Sequence, residues 1–503
     1  MHVQDRLRTI PPETLRGIRR GIEKESLRVR ADGSLSDKPH PPALGAALTH
    51  PHITTDFSES QLELITGVHE RVDACLEELT EIHKMVYRAI GDEILWCASM
   101  PCGLPADDQI PIGRYGTSNV GRAKTVYRSG LSYRYGRRMQ AISGIHYNLS
   151  MPGITTDQYF ALIRNFRRRS WLLLYLFGAS PAVCPSFVAG RHHELKELAP
   201  GTLYAPHGTS LRMGRLGYQS DAQGSLCVSY NGLKSYTASL FDALTKPYPP
   251  YENIGIRVGG EYRQLNTTLL QIENEFYSTV RPKRRIKRGE RPLHALRERG
   301  VEYVEVRLMD LDPFVAIGIG AATMRFLDVF LLHCLLDDSP DDSPEEIAAI
   351  GRNQQDVALR GRDPGLVLYR NGEPVGLAEW GRQVIDECEP IAAALDKLHG
   401  GAAFRDALLS AGAVVANPNA APSARVLRAM ARNHDNSYTR FVLAESLLHA
   451  GSLRGLPLRD EVKARFERLA AESLAEQRKL EAADTVDFET FRQQYLSPEL
   501  LKV

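Results

Sequence analysis

Cysteine is scarce in this chain and follows no pattern. Cys75, Cys97, Cys102, Cys184, Cys227, Cys334 and Cys388 are odd in number and scattered, with no CxxC pair. That spacing speaks against a disulfide framework or a zinc ribbon and leaves reduced thiols as the expectation. An excess of either charge is missing too. Lys and Arg total 62 against 61 Asp and Glu, a formal charge of +1 at pH 7. Such a balance gives no global pull toward nucleic acid or a membrane surface. Long apolar runs are absent: "WLLLYLFGASPAVC" and "FLDVFLLHCLL" both fall short of the roughly 20 residues that span a bilayer. The first residues, "MHVQDRLRTIPPETL", contain no apolar h-region, so no secretion signal is expected and the cytoplasm is the expected compartment.

Several chemical motifs are missing as well. No GxxxxGK[ST] occurs, which speaks against a P-loop. Gly318 and Gly320 form a GxG without its third glycine, since position 323 is Thr. His193-Glu194 is followed by Glu197 where a zinc protease needs its second His, and "GASPA" around Ser180 is no nucleophile elbow.

What is present is ample core material: 503 residues, 43% hydrophobic and 24% charged. Residues 1–315 mix short strand-like runs, Gly/Pro turns and a few helices. "RVDACLEELTEIHKMVYRAIGDEI" has helical spacing, and so has "TTDQYFALIRNFRRRSWLLLYLF", with Thr156 as expected N-cap. Residues 316–503 read as a helical part packed on the first.

The strands carry the functional signal. In "RGIEKESLRVR", Glu23 and Glu25 share a face with Leu27 and Val29. In "GIHYNLS", His146, Asn148 and Ser150 oppose Ile145, Tyr147 and Leu149. In "LLQIENEFY", read as a strand, Gln271, Glu273, Glu275 and Tyr277 oppose Leu270, Ile272, Asn274 and Phe276. In "EYVEVRLMD", Glu305 and Arg307 lie opposite Val304, Val306 and Leu308, and "TTDFSESQLELIT" sets Glu63 against Leu62 and Leu64 with Asp56 upstream. A sheet wetted on one side explains any one alternation. The recurrence of acids with one His and one Arg points to a site.

If these faces converge, Glu23, Glu25, Asp56, Glu63, His146 and Glu305 form one cluster. Five crowded carboxylates stay ionised only with cations between them. Oxygen-rich ligation with one imidazole suits Mg²⁺ or Mn²⁺, two or three ions balancing the acids and a nucleotide's phosphates. Arg307 then contacts a phosphate oxygen, and phosphoryl chemistry follows. The basic run Arg281 to Arg291 reads as a solvated loop, with triphosphate contact as the other option. A nucleic-acid protein using the same acids and this run is disfavoured by the net charge.

These stretches, with "YGTSNVGRAKTVYRSGL", "YLFGASPAVC", "LQIENEFYSTVRPKR", "SARVLRAM" and "EAADTVDF", resemble the type 1 group of bacterial glutamate–cysteine ligases. The resemblance implies an α+β fold like that of glutamine synthetase, a curved, mainly antiparallel sheet forming a funnel wrapped by helices. It implies ligation of the γ-carboxylate of L-glutamate to the amine of L-cysteine through a γ-glutamyl phosphate, with ATP as co-substrate. That is the first step of glutathione synthesis; the alternative is the same chemistry with another amine. It implies the six residues above as metal ligands, Glu305 and Arg307 as catalytic residues, and Tyr127, Arg212, Tyr218 and Tyr277 around cysteine. It further implies a monomer, feedback inhibition by glutathione, no nucleic acid and no membrane. No further catalytic extension follows "EAADTVDF", so the second glutathione step is not expected in this chain.

Overall fold

The computed structural model describes residues 3–217, 221–224, 226–287 and 289–501. The elements that matter here are, in chain order, β1 (Arg19–Val29), β2 (Ile53–Thr55), β3 (Gln61–Ile65), α1 (Val72–Ala89), β4 (Ile94–Leu95), α2 (Asn119–Tyr135), β5 (Ile145–Ser150), α3 (Thr156–Phe177), β6 (Val280–Lys283), β7 (Tyr303–Met309), α4 (Ala321–Leu336), α5 (Pro344–Arg360), α6 (Leu377–His399), α7 (Asp460–Ala482) and α8 (Phe488–Tyr495). The strands join in one seven-stranded sheet, in the order β6-β7-β5-β1-β3-β2, with β4 on the far end of β1. Every pairing in it is antiparallel. This is the expected α+β architecture.

Register fixes which side chains meet, because residues directly opposite across an antiparallel pair share a face. Glu23 lies opposite His146, Glu25 opposite Glu63, and Glu305 opposite Asn148. The other face is dry. Ile22, Leu62, Leu64, Tyr147, Val304 and Val306 are all buried, and α1 and α3 pack there, with α4 against both helices. Buried side chains from Ile22 of β1 to Phe466 of α7 form one continuous cluster, so the C-terminal helices share the core of the sheet.

The dry face also holds two cations that the alternation did not mark. Lys24 points under α1, where its Nζ lies 3.0 Å from His83 Nε2. His83 Nδ1 is 2.7 Å from the carbonyl of Leu79, so Nδ1 carries the proton and Nε2 accepts from the lysine. Burial pulls Lys24 down to about 7. Arg28, with no exposed surface, reaches both Glu93 oxygens at 3.1 Å and donates to the carbonyls of Lys38 and Glu59 at 2.7 and 2.9 Å. Arg28→Met is expected to cost about 3–5 kcal/mol by leaving Glu93 charged, buried and unpaired. Urea denaturation measures it. Arg28→Met combined with Glu93→Leu should regain most of that loss, and a single variant as stable as the parent would show that the pair anchors nothing.

The structure corrects four expectations. Residues 270–277 are not a strand: Ile272 leads into a single 3-10 turn at Glu273–Glu275. The acids that suggested a wet strand face serve as local clamps. Glu273 receives Arg291 at 2.7 Å, and Glu275 receives Arg134 at 2.9 Å and the hydroxyl of Tyr135 at 2.8 Å. The basic run is not simply a solvated loop, since Arg281 and Arg291 at its two ends are buried. The cap of α3 is Thr155 with Gln158 in a reciprocal capping box, not Thr156. Finally, Cys102 and Cys184 form a disulfide, their Cα atoms 5.7 Å apart across 82 residues of chain. Two thiols brought together only by the tertiary fold leave no motif in the spacing. The other five cysteines are free. Among the described residues no helix is long and apolar enough to cross a membrane.

Candidate active site

Opposite the packed helices, the sheet floors a cavity of about 860 Å³, walled by α2 and by the C-terminal α7 and α8. Glu23, Glu25, Asp56, Glu63, His146, Glu305 and Arg307 all line it, as do Tyr127 and Tyr277. Within this set two donor groups form: Glu23, His146 and Glu305, and Glu25, Glu63 and His146, with the ligand atoms of each group within 4.8 Å of one another. His146 belongs to both. Its Nδ1 is 3.0 Å from Glu23 Oε2 and its Nε2 is 3.7 Å from Glu25 Oε1. Asp56 lines the same cavity without joining either group.

The electrostatics separate the acids. Burial and the neighbouring Asp56 carboxylate push Glu25 up to about 8. Burial, then Glu23, Asp56 and Glu25, push Glu63 well above the usual carboxylate range. Glu305 goes the other way. Burial raises it, but Lys283 at 3.2 Å, Arg307 at 3.0 Å, His146 and Arg281 outweigh that and hold it well below. So the Glu25–Glu63 side has an electron-rich donor set short of positive charge, and the Glu305 side is already balanced. Asn148 lies directly opposite Glu305 in the register. Its Nδ2 donates to Glu23 Oε1 at 3.0 Å, while its buried Oδ1 has no hydrogen-bond partner. Hard oxygen donors, one shared imidazole and an orphaned amide oxygen fit divalent cations of the Mg²⁺ type.

The residues expected around cysteine divide. Tyr277 borders both the main cavity and an adjoining one of about 260 Å³, which Arg212 and Arg307 also line. Tyr127 borders the main cavity only, and Tyr218 lies outside the described residues. Arg212 is 2% exposed; its Nη2 donates to the carbonyl of Arg307 at 2.8 Å. Tyr277 accepts a 2.6 Å hydrogen bond from Gln140. Arg281 and Lys283, which neighbour Glu305, were missed as site residues, as was Asn148. Their signal was present in the alternation of "VRPK" and "HYN", once the strand is placed at 280–283.

A family model described as glutamate-cysteine ligase matches residues 7–357 of this chain. The chain belongs to this family. A glutamate–cysteine ligase of Pseudomonas entomophila is 50% identical over 94% of this chain and 92% of its own. The one from Azotobacter vinelandii is 49% identical over 95% and 94%. Among solved structures, the glutamate–cysteine ligase of Francisella tularensis in complex with AMP matches with a TM-score of 0.91 and 37% identity, covering 95% of this chain and 97% of that one. A bifunctional glutathione synthetase from Pasteurella multocida matches with a TM-score of 0.70 and 25% identity over 93% of this chain and 57% of its own length. As a member of the glutamate–cysteine ligase family the chain is an enzyme, an ATP-dependent carboxylate–amine ligase.

Proposed function

We propose that this cavity joins the γ-carboxylate of L-glutamate to the amine of L-cysteine at the expense of ATP, the first step of glutathione synthesis. The observation that carries the reading is the pair of donor groups sharing His146, beside Arg307 and Lys283 in one cavity. A carboxylate is a poor electrophile toward an amine. Transfer of the terminal phosphoryl group of ATP to it gives γ-glutamyl phosphate, which the amine attacks with release of phosphate.

The chain's own residues divide this work. Glu23, Glu25, Glu63, His146 and Glu305, with Asp56 at their side, hold two or three Mg²⁺ ions, for which Mn²⁺ can substitute. Bound there, the ions shield the substrate carboxylate from the triphosphate and stabilise the charge in transfer. Arg307 presents a planar fork to phosphate oxygens, and its contact with Glu305 keeps that fork in place. Arg212 steers the cysteine carboxylate, with the hydroxyls of Tyr127 and Tyr277 closing a compact polar pocket. Glutathione contains the product's γ-glutamylcysteinyl part, so it competes for the same seats as a feedback inhibitor.

Purified protein with ATP, Mg²⁺ and L-glutamate should release ADP several-fold faster once L-cysteine is added, and EDTA should abolish that release. ADP release indifferent to cysteine would overturn the acceptor assignment, and release indifferent to EDTA would overturn the metal assignment.

A further inference from the structure

The stretch "YLFGASPAVC" has no part in the site described so far, yet its serine is buried. α3 ends at Phe177, and Ser180 lies in the chain that leaves it. Ser180 and Ser210 pair in an isolated parallel bridge. The N–H of Ser180 donates to the carbonyl of Thr209 at 3.1 Å, and its carbonyl accepts from the N–H of Leu211 at 2.8 Å. Both serine hydroxyls turn to one acceptor, Asp310. Ser180 Oγ donates to Asp310 Oδ2 at 2.8 Å, and Ser210 Oγ donates to Oδ1 at 2.9 Å. The N–H of Ala179 adds a third bond to Oδ2 at 2.9 Å. An ionised carboxylate only accepts, so it takes all three; an amide would set a donor against one of them.

Asp310 directly follows β7, the strand that carries Glu305 and Arg307. Ser210 caps the 3-10 turn Leu211–Met213, accepting from the N–H of Met213 at 3.3 Å, and Arg212 is the middle residue of that turn. The guanidinium of Arg212 returns to the same strand, at the carbonyl of Arg307. So β7 holds Arg212 at both ends: at its backbone through Asp310 and Ser210, and at its head through Arg307. Charge ties the same pair. Asp310 is buried, which pushes its carboxyl up from the ordinary range, and the Arg212 guanidinium is the first group to pull it back. Withdrawing a guanidinium from a buried carboxylate is costly, because the charge left behind is uncompensated. Asp310 is in the wall of neither the main nor the side cavity, so its reach into the site runs through Arg212.

We propose that Asp310 is a positioning residue for the acceptor substrate: through Ser210 it sets the turn that aims Arg212, and so fixes where the carboxylate of the accepting amino acid sits relative to Arg307. The inference rests on the reading that Arg212 receives that carboxylate. Asp310 touches no reacting atom. It makes one strand the common frame for the residue that meets phosphate and the residue that meets the acceptor, and a small error in such a frame is felt in the reaction.

Asp310→Asn keeps the size and turns one accepting oxygen into a donor, and Ser210→Ala removes the bond to the turn alone. Each should raise KM for L-cysteine about tenfold. The kcat, the KM for glutamate and the glutamate-dependent ADP release without an acceptor should stay near the parent values. Cysteamine, which is cysteine without its carboxylate, gives a readout that separates positioning from general damage. Its kcat/KM should stay at the parent value, so the preference for cysteine over cysteamine should fall about tenfold. Ser180→Ala takes a hydroxyl from the same carboxylate on the α3 side. It should lower the melting temperature and leave that preference intact. If Asp310→Asn does not fold, Ser210→Ala carries the test. Equal losses with cysteine and cysteamine, or the parent's preference in folded Asp310→Asn and Ser210→Ala, would overturn the proposal. Arg212→Ala separates this from failure of the reading beneath it. If Arg212→Ala loses the preference and the Asp310 and Ser210 variants keep it, the positioning role alone fails. If Arg212→Ala keeps it, the carboxylate sits elsewhere and both fail.

Discussion

Glu305→Gln should lower turnover at least about a thousandfold and leave the protein folded. The side chain is 1% exposed and nearly isosteric with Gln, so no cavity opens. What changes is charge. Lys283 and Arg307, 3.2 and 3.0 Å away, lose the carboxylate that balances them, and one group of metal donors loses a member. The sign of the stability effect follows from the same contacts. These cations hold Glu305 below its ordinary range, so its charge contributes stability at neutral pH that would be lost only in acid as pH falls through that lowered value. Gln removes that contribution at every pH, so the melting temperature should fall while the transition stays cooperative. Calorimetry and the ADP-release assay read the two effects separately. Normal turnover by a folded Glu305→Gln enzyme would remove Glu305 from the metal site.

The residues that make Glu305 critical show what the sequence could and could not reveal. Period-two alternation located β1, β5 and β7, and the odd placement of acids beside Leu27 and Val29 pointed to the wet face. Both signals are local to a strand and survive folding unchanged. Apart from the cap of α3, which the local capping box of Thr155 and Gln158 decides, the failures are cases where a non-local partner decides. Glu273 and Glu275 look like a wet strand face until Arg291 and Arg134 claim them and turn the backbone. Arg28 and Lys24 carry no mark of burial in the alternation, and Glu93 and His83 reach them from other elements. Cys102 and Cys184 meet only because the chain between them folds back. The placement of α8 is decided in the same way, since Arg492 reaches the carbonyl of Leu265 and Arg291 reaches that of Tyr495 from distant segments.

Gly144→Ala should reproduce the defect of Arg212→Ala without touching the arginine. A Cβ on Gly144 would stand 2.0 Å from Nη2 of Arg212 and 2.5 Å from its Cζ, far inside contact distance. The backbone at Gly144 has little freedom to yield, because its N–H donates to Glu25 Oε2 at 2.7 Å and its carbonyl accepts from the Glu25 N–H at 3.0 Å. The guanidinium must therefore give way. It has somewhere to go, since Arg212 borders the 260 Å³ side cavity, so the protein should still fold. In moving, it breaks the 2.8 Å hydrogen bond to the carbonyl of Arg307 and leaves the position proposed above to steer the cysteine carboxylate. A displacement of about an ångström in a positioning group costs on the order of a hundredfold. The loss should appear as about that factor in kcat/KM for cysteine, chiefly through KM, while KM for glutamate stays near the parent value. Arg212→Ala should show the same signature. Two changes that remove one interaction are not additive, so the double variant should be no worse than Arg212→Ala alone. Additive losses would mean that Gly144 acts through Glu25 and the metal site instead, and a raised Mg²⁺ requirement in Gly144→Ala would identify that route.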